Sequence, residues 1–284
     1  MTAVGIAEQR RQHEVRSGSA RAWLLTVLSL YVFPEPRPIP TAALLYALQL
    51  FGFDSKASRQ ALNRAAASGW IEARKDGRRA MWDLTLTGHQ LMMDGRRRLQ
   101  NLESVDRQWD GRFVLVNASV PQSQRALRHK IRTRLTWLGF GVMSPATWIS
   151  IRLDAEQDAV ELLNRLKIDG ASTFIATPGR AGDFQEVVRR AWDLDALASE
   201  YRAFIEEFAT ERPGEGDDVL IAYTRLVHSW RRFPFMDPTL PAALLPSGWP
   251  GDEAVRVYQS LQSMWRPAAA QRWSEIVATA IESR

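Results

Sequence analysis

The 284-residue sequence contains no cysteine. That excludes disulfides, cysteine-ligated zinc, iron–sulfur clusters and thiol catalysis. Only four histidines occur (His13, His89, His129 and His228), and they are scattered. No GxSxG, HExxH or Walker A pattern is present. Long apolar runs are also missing. The longest, from Ala22 to Phe33, includes Thr26 and Ser29 and stops at Pro34, too short to cross a bilayer. Residues 1–18 are polar and lack the apolar stretch of a secretory signal. The expectation is a non-enzymatic cytoplasmic protein with no membrane segment, no catalytic residue, no metal ligand and no cofactor.

Charge is present and unevenly spread. The whole chain carries a net +5. Residues 19–105 hold 12 Lys/Arg against 7 Asp/Glu, and residues 106–176 hold 10 against 7. Residues 177–284 reverse the sign, with 12 against 16. A basic N-terminal part on an acidic C-terminal part points the former at a polyanion.

Pattern divides the chain into an arm and three domains: 1–18 a flexible arm, 19–105, 106–178 and 179–284. Ala20 to Phe33 reads as a helix on the spacing of Trp23, Leu24, Val27, Leu28 and Tyr31, and the run of prolines from Pro34 ends it. A second helix runs from Thr41, its cap, to Leu50; a third follows from Ser55, again the cap, to Ser68, with Gly69 closing it. Trp70 to Arg74 and Arg79 to Leu84 flank Asp76-Gly77, a hairpin turn. Leu86 to Val105 is a long helix ending in a linker. Three short helices and a hairpin make the order of a winged helix-turn-helix, whose third helix enters the DNA major groove.

At 100° per residue the third helix separates into two faces. Ser58, Ala61, Leu62 and Ala65 form a small, mostly apolar side. Lys56, Arg59, Gln60 and Asn63 lie opposite, with Arg64 flanking them. Arg reads guanine, and Gln and Asn read adenine. Lys75, Arg78 and Arg79 crowd the hairpin tip, where phosphate or an adjacent minor groove lies within reach. A solvated polar helix and a charged turn that discourages edge pairing are the plain alternatives.

A composition shift begins at Trp109. Phe113 to Ala118 reads as a strand, Gln122 to Leu138 as a helix, Val142 to Ile151 as a strand pair, Glu156 to Leu166 as a helix and Ala171 to Ala176 as a strand. This β-α-β-β-α-β order predicts a ferredoxin-like domain. The remainder reads as helical: Ala191 to Thr210, then a polar linker Glu211 to Asp218, then Val219 to Arg232. A proline-punctuated stretch Phe233 to Pro250 precedes a final helical pair. The fold class is therefore α+β.

At this point the sequence resembles the PaaX family of bacterial repressors, over nearly the whole chain from Ala20. In the first domain the matching residues are Ser58 to Arg64, Ser68-Gly69-Trp70-Ile71, Gly77-Arg78-Arg79 and Leu84 to Gly88. The central domain matches at Trp109 to Phe113, Leu127 to Lys130, Leu138 to Gly141 and Trp148-Ile149-Ser150. The last matches at His228, Arg231-Arg232, Asp237-Pro238, Leu240-Pro241, Leu244 to Pro246 and Trp249-Pro250. The resemblance implies a homodimeric repressor on double-stranded operator DNA, released by an acyl-CoA effector such as phenylacetyl-CoA; the helical domain 179–284 is expected to serve dimerisation, with the effector near it and the central domain.

Candidate effector residues follow from chemistry. Arg128, Lys130 and Arg132 sit with Arg125 and Arg134 on a helix without an acid, suited to CoA phosphates or a second DNA backbone segment. A solvated charged face is the bland reading of the same helix. Trp148, with Trp109, Trp137 and Phe140, is either a pocket wall for an aromatic acyl group or ordinary core. Tyr223, His228 and Arg231 offer donors on or just after one helix, and Asp237 either pairs with Arg231 or Arg232 or serves a switch. Two other functions remain: a non-specific nucleic-acid binder, and a metal-dependent nuclease. The nuclease would need a carboxylate near the end of the first central strand, where the sequence reads Val114-Leu115-Val116-Asn117-Ala118-Ser119.

Overall fold

The computed structural model describes residues 18–77, 79–103 and 109–282. Nearly all of the expected N-terminal arm, Arg78 of the expected DNA contacts, and residues 104–108 of the expected linker lie outside the described residues. The chain is α+β, with two small antiparallel sheets. In order, α1 is Ala20–Val27, β1 Ile39–Pro40, α2 Thr41–Leu50, α3 Ser55–Ala67, β2 Ile71–Asp76, β3 Arg79–Leu84 and α4 Leu86–Glu103. Next come β4 Phe113–Asn117, α5 Arg125–Trp137, β5 Gly141–Ser144, β6 Thr147–Ser150, α6 Ala155–Arg165 and β7 Ser172–Ala176. Last are α7 Phe184–Trp192, α8 Leu194–Phe208, α9 Asp217–Trp230 and α10 Gly251–Glu282. Among the described residues no helix is long and apolar enough to cross a membrane.

Packing groups the residues into two compact units that cut across chain order. One draws on Met1–Gln100, Phe204–Arg232 and Glu253–Arg284; the other on Asn101–Ala203 and Phe233–Asp252. In the first unit α1, α2 and α3 bury Leu24, Val27, Leu44, Leu48, Ala61 and Leu62. Hairpin β2–β3 pairs in register from Ile71↔Leu84 to Asp76↔Arg79, and β1 adds a third strand beside β3. Gly77 makes the turn at φ +59°, a conformation cheap only without a Cβ.

In the second unit the sheet order is β5-β6-β4-β7, every neighbour antiparallel. Its core joins Val114 and Val116 of β4 to Ile131 and Leu135 of α5, and to Ala159, Leu162 and Leu163 of α6. Strand β7 is an edge, and Phe174 and Ile175 on it are 54% and 51% exposed.

Several boundaries differ from expectation. The first helix is α-helical only to Val27; Leu28–Val32 is a π-helical turn. Helix α3 is capped by Asp54, one residue earlier than Ser55, through a carboxylate that accepts from the Ala57 N–H at 2.6 Å. The Thr41 side chain does not cap α2. It donates to the Ala80 carbonyl and accepts from Trp82 Nε1, tying the hairpin to the helix start. The expected helix from Ala191 to Thr210 is two helices, broken at Asp193, which adopts φ +50°. The expected final helical pair is one 32-residue helix, α10, with Pro267 inside it.

Candidate nucleic-acid interface

Helix α3 forms because Asp54 supplies its cap and its alanines favour the helical backbone. Ser58, Ala61, Leu62 and Ala65 are all buried. Lys56, Arg59, Gln60, Asn63 and Arg64 are all exposed. None of these five side chains has a hydrogen bond or ion pair among the described residues. The small inner stripe brings the helix close against α1 and α2, leaving a continuous polar outer face. Its far end is held by Arg21 of α1. That guanidinium donates to the Ser68 hydroxyl at 2.8 Å and lies 4.1 Å over the Trp70 ring.

The hairpin stands beside this helix on a fixed base. Thr85 donates to the Gly69 carbonyl and accepts from the Gly88 N–H. At Gly88 the backbone comes so near that an added Cβ would sit 2.1 Å from the Trp70 oxygen. Lys75 is exposed and Arg79 half-buried, while Arg74 pairs with Asp83 at 3.5 Å. The expected DNA contacts thus gather on α3 and the hairpin, with Arg78 outside the described residues.

The expected effector residues divide between the units. Trp148 is core: it is buried, and its indole N–H has no partner among the described residues. Phe140 is buried beside it in the same core. Trp109 stacks on Phe184 and donates to the Arg112 carbonyl. Arg128 and Arg132 are half-buried and Lys130 exposed on α5. Trp137, at the end of α5, faces solvent.

In the first unit Tyr223 and His228 are buried. His228 Nδ1 lies 2.9 Å from the Thr26 hydroxyl, and its ring stacks on Trp23 with centroids 3.8 Å apart. Arg231 donates to the Thr26 hydroxyl and the Ala22 carbonyl. Desolvation lowers its guanidinium to about 10, which leaves it charged at neutral pH. Tyr31 reaches the Thr224 hydroxyl at 2.8 Å, and burial pushes its phenol well above the ordinary value. These groups clasp α9 and its C-cap residue Arg231 to α1 and the π-helical turn that follows it. Asp237 accepts from the Tyr201 hydroxyl and the Thr239 N–H.

Sequence reasoning missed the clasp and a second tie. Tyr46 of α2 donates to Asp217 at 2.6 Å, and Arg272 of α10 donates to the same carboxylate at 2.9 Å. No sequence spacing announces contacts 55 and 171 residues apart. Among the described residues no group of three His, Asp or Glu side chains is placed to hold a metal.

Comparison with known proteins adds three matches in chain order. Residues 19–88 match the profile "PaaX-like protein", 106–188 "PaaX protein central Cas2-like domain", and 192–275 "PaaX-like protein C-terminal domain". The transcriptional repressor PaaX of Escherichia coli K12 is 28% identical over 253 residues, covering 84% of this chain and 77% of that protein. The solved structure of the uncharacterized protein Rv0674 from Mycobacterium tuberculosis superposes with TM-score 0.60. It is 20% identical, and the match covers 91% of this chain and 99% of that one, a likeness of fold alone.

Proposed function

The chain belongs to the PaaX family, and on that premise we propose that it is a repressor that reads a specific sequence in double-stranded DNA. It is a transcriptional regulator and not an enzyme. Helices α1 to α3 and the β2–β3 hairpin act as a winged helix-turn-helix, with α3 in the major groove and the hairpin as its wing. The observation that carries this reading is the two-faced α3. Its inner stripe is wholly buried, and Lys56, Arg59, Gln60, Asn63 and Arg64 stand exposed without partners among the described residues. Arg59, Gln60 and Asn63 read bases; Lys56, Arg64, Lys75, Arg78 and Arg79 contact the backbone.

The strand order β5-β6-β4-β7 with α5 and α6 as crossovers supports a ferredoxin-like central domain. The repressor acts as a homodimer, as two-fold operator geometry favours. The exposed Phe174 and Ile175 on edge strand β7 support a partner at that edge. An acyl-CoA of the phenylacetyl-CoA kind releases the DNA. Arg128 and Arg132, half-buried on α5, are suited to its phosphates. Trp148, Tyr223, His228 and Arg231 take part only if ligand binding opens the packing they now serve. That requires a ligand with different affinities for the two states.

Selection of bound duplexes from a random pool, followed by anisotropy titration with and without phenylacetyl-CoA, tests the reading. The expected result is one symmetric or repeated site, released by the ligand. A specific site indifferent to the ligand removes that effector. No enriched site removes sequence-specific reading and leaves a non-specific binder.

A further inference from the structure

Outside α5, four exposed cations of the second unit are paired and four, Arg165, Lys167, Arg180 and Arg202, stand singly without an ion pair among the described residues. Arg112 meets Asp110 at 2.6 Å, Arg152 meets Asp154 at 2.7 Å, and Arg189 meets Asp195 at 2.7 Å. Helix α5 differs. Arg125, Arg128, Lys130, Arg132 and Arg134 fall within its 13 residues, without an acid among them. None of the five takes part in an ion pair among the described residues. Arg125, His129, Lys130 and Arg134 are exposed.

This arrangement works against the helix. Arg128 with Arg132, and Lys130 with Arg134, are like charges one turn apart, and each such pair is unfavourable. Arg125 and Arg128 occupy the first turn, where the macrodipole disfavours cations, and no side chain caps the end. An external polyanion relieves every one of these penalties.

We infer that α5 is a second DNA contact, one that grips the sugar-phosphate backbone of a duplex without reading its sequence. At about 100° per residue Arg125 lies on one flank of the exposed face of α5 and Lys130 and Arg134 on the other, so a backbone laid across that face meets about one phosphate at each. Four of the five cations are arginines, whose planar fork matches phosphate oxygens. The inference rests on the proposed DNA-binding function. It adds to that function a grip outside the reading head, carried by Arg125, Lys130 and Arg134.

The test uses the full-length protein and a triple variant, Arg125→Ala/Lys130→Ala/Arg134→Ala. Anisotropy measures affinity for the selected operator and for a scrambled duplex across a salt series. Each lost phosphate contact makes the slope of log affinity against log salt shallower by about 0.9. The expected change is therefore about two to three in slope on both duplexes, with the operator-to-scrambled ratio held within about twofold. The thermal midpoint of the variant, with its three exposed substitutions, reports that it is folded. A second variant, Lys130→Glu/Arg134→Glu, must weaken both duplexes further.

Unchanged slopes in the folded variants overturn the inference. An unchanged slope with a lost dimer in sedimentation overturns it in favour of a protein partner on α5. A collapsed operator preference overturns the sequence-independent grip. Trp137, 55% exposed with its ring 5.4 Å from that of Phe235, supplies one further arm. If Trp137→Ala abolishes binding to a single-stranded oligonucleotide that the wild type prefers to duplex, the occupant is unpaired bases and the duplex assignment is overturned. If the wild type shows no sequence preference but the slopes still fall, the reading head fails and the backbone grip stands.

Discussion

Helices α3 and α9 are nearly equal in length and end in opposite surroundings. Helix α3 buries four of its 13 residues, and α9 buries nine of its 14. Both carry groups able to hold a ligand. In α3 those groups point to water without partners among the described residues. In α9, Tyr223 and His228 lie inside, and Arg231, just past its end, bonds to α1. The difference comes from the residues around the donors. Helix α3 has one buried stripe and, elsewhere, no apolar side chain larger than alanine to attract a second neighbour. Helix α9 has Val219, Leu220, Leu226, Val227 and Trp230 distributed around it, so packing closes on several sides. A donor on a helix is a ligand contact only where the rest of the helix leaves its face uncovered.

The largest test of this contrast is Trp230→Ala. Trp230 is fully buried and stacks on Tyr258 with centroids 4.6 Å apart. Urea unfolding is expected to show a loss of about 3–5 kcal/mol; a loss near zero would make α9 a surface helix. Thr26→Val comes next. It deprives His228 and Arg231 of one shared partner and is expected to cost about 1–3 kcal/mol of stability. The folded fraction should keep its operator preference, and an altered preference would place the clasp in DNA reading.

Arg59→Ala is the mirror experiment on α3. The expected loss is about 1–3 kcal/mol of discrimination against the wrong base, with the thermal midpoint unmoved. Equal losses on operator and scrambled DNA would reassign Arg59 to a phosphate. Asp54→Ala removes the cap of α3 and should destabilise the protein by about 1 kcal/mol, read as a lower denaturation midpoint.

The smallest effect concerns Asp217. Burial alone raises its carboxyl, but the Tyr46 hydroxyl and the Arg272 guanidinium together hold it below the ordinary carboxylate range. Its contribution is therefore present above that range and is lost as pH falls through the depressed value. Asp217→Asn should flatten this part of the acid limb of a stability–pH curve, and an unaltered limb would remove Asp217 from it. Partial exposure keeps the effect small.

Legibility followed the range of the interaction. The faces of α3 could be read from the order of its residues, because helical period converts sequence directly into direction. The hairpin was legible from Asp76-Gly77. The break at Asp193 was not, since no glycine or proline marks it. Asp193 takes a left-handed conformation while its carboxylate accepts from the Ala196 N–H. The single helix that stands where a pair was expected contains Pro267. That proline lies on the exposed side of α10, while Leu261, Trp265, Ala269 and Trp273 are buried on either side of it. That anchoring keeps the helix continuous across the lost N–H, whose carbonyl partner, that of Ser263, belongs to an exposed residue.

By itself the sequence determined the α+β class, the order of elements from α2 to β7, the family and the polar face of α3. All of these depend on local period, turn chemistry or residue identity. Tertiary structure alone decided that His228, Tyr223 and Arg231 serve a clasp, that Asp217 joins α2 to α10, and that two segments of the C-terminal third pack with the N-terminal part. Burial and partner choice depend on which distant surfaces meet. The free energy of that meeting is a sum over the whole core and is written in no single stretch of chain.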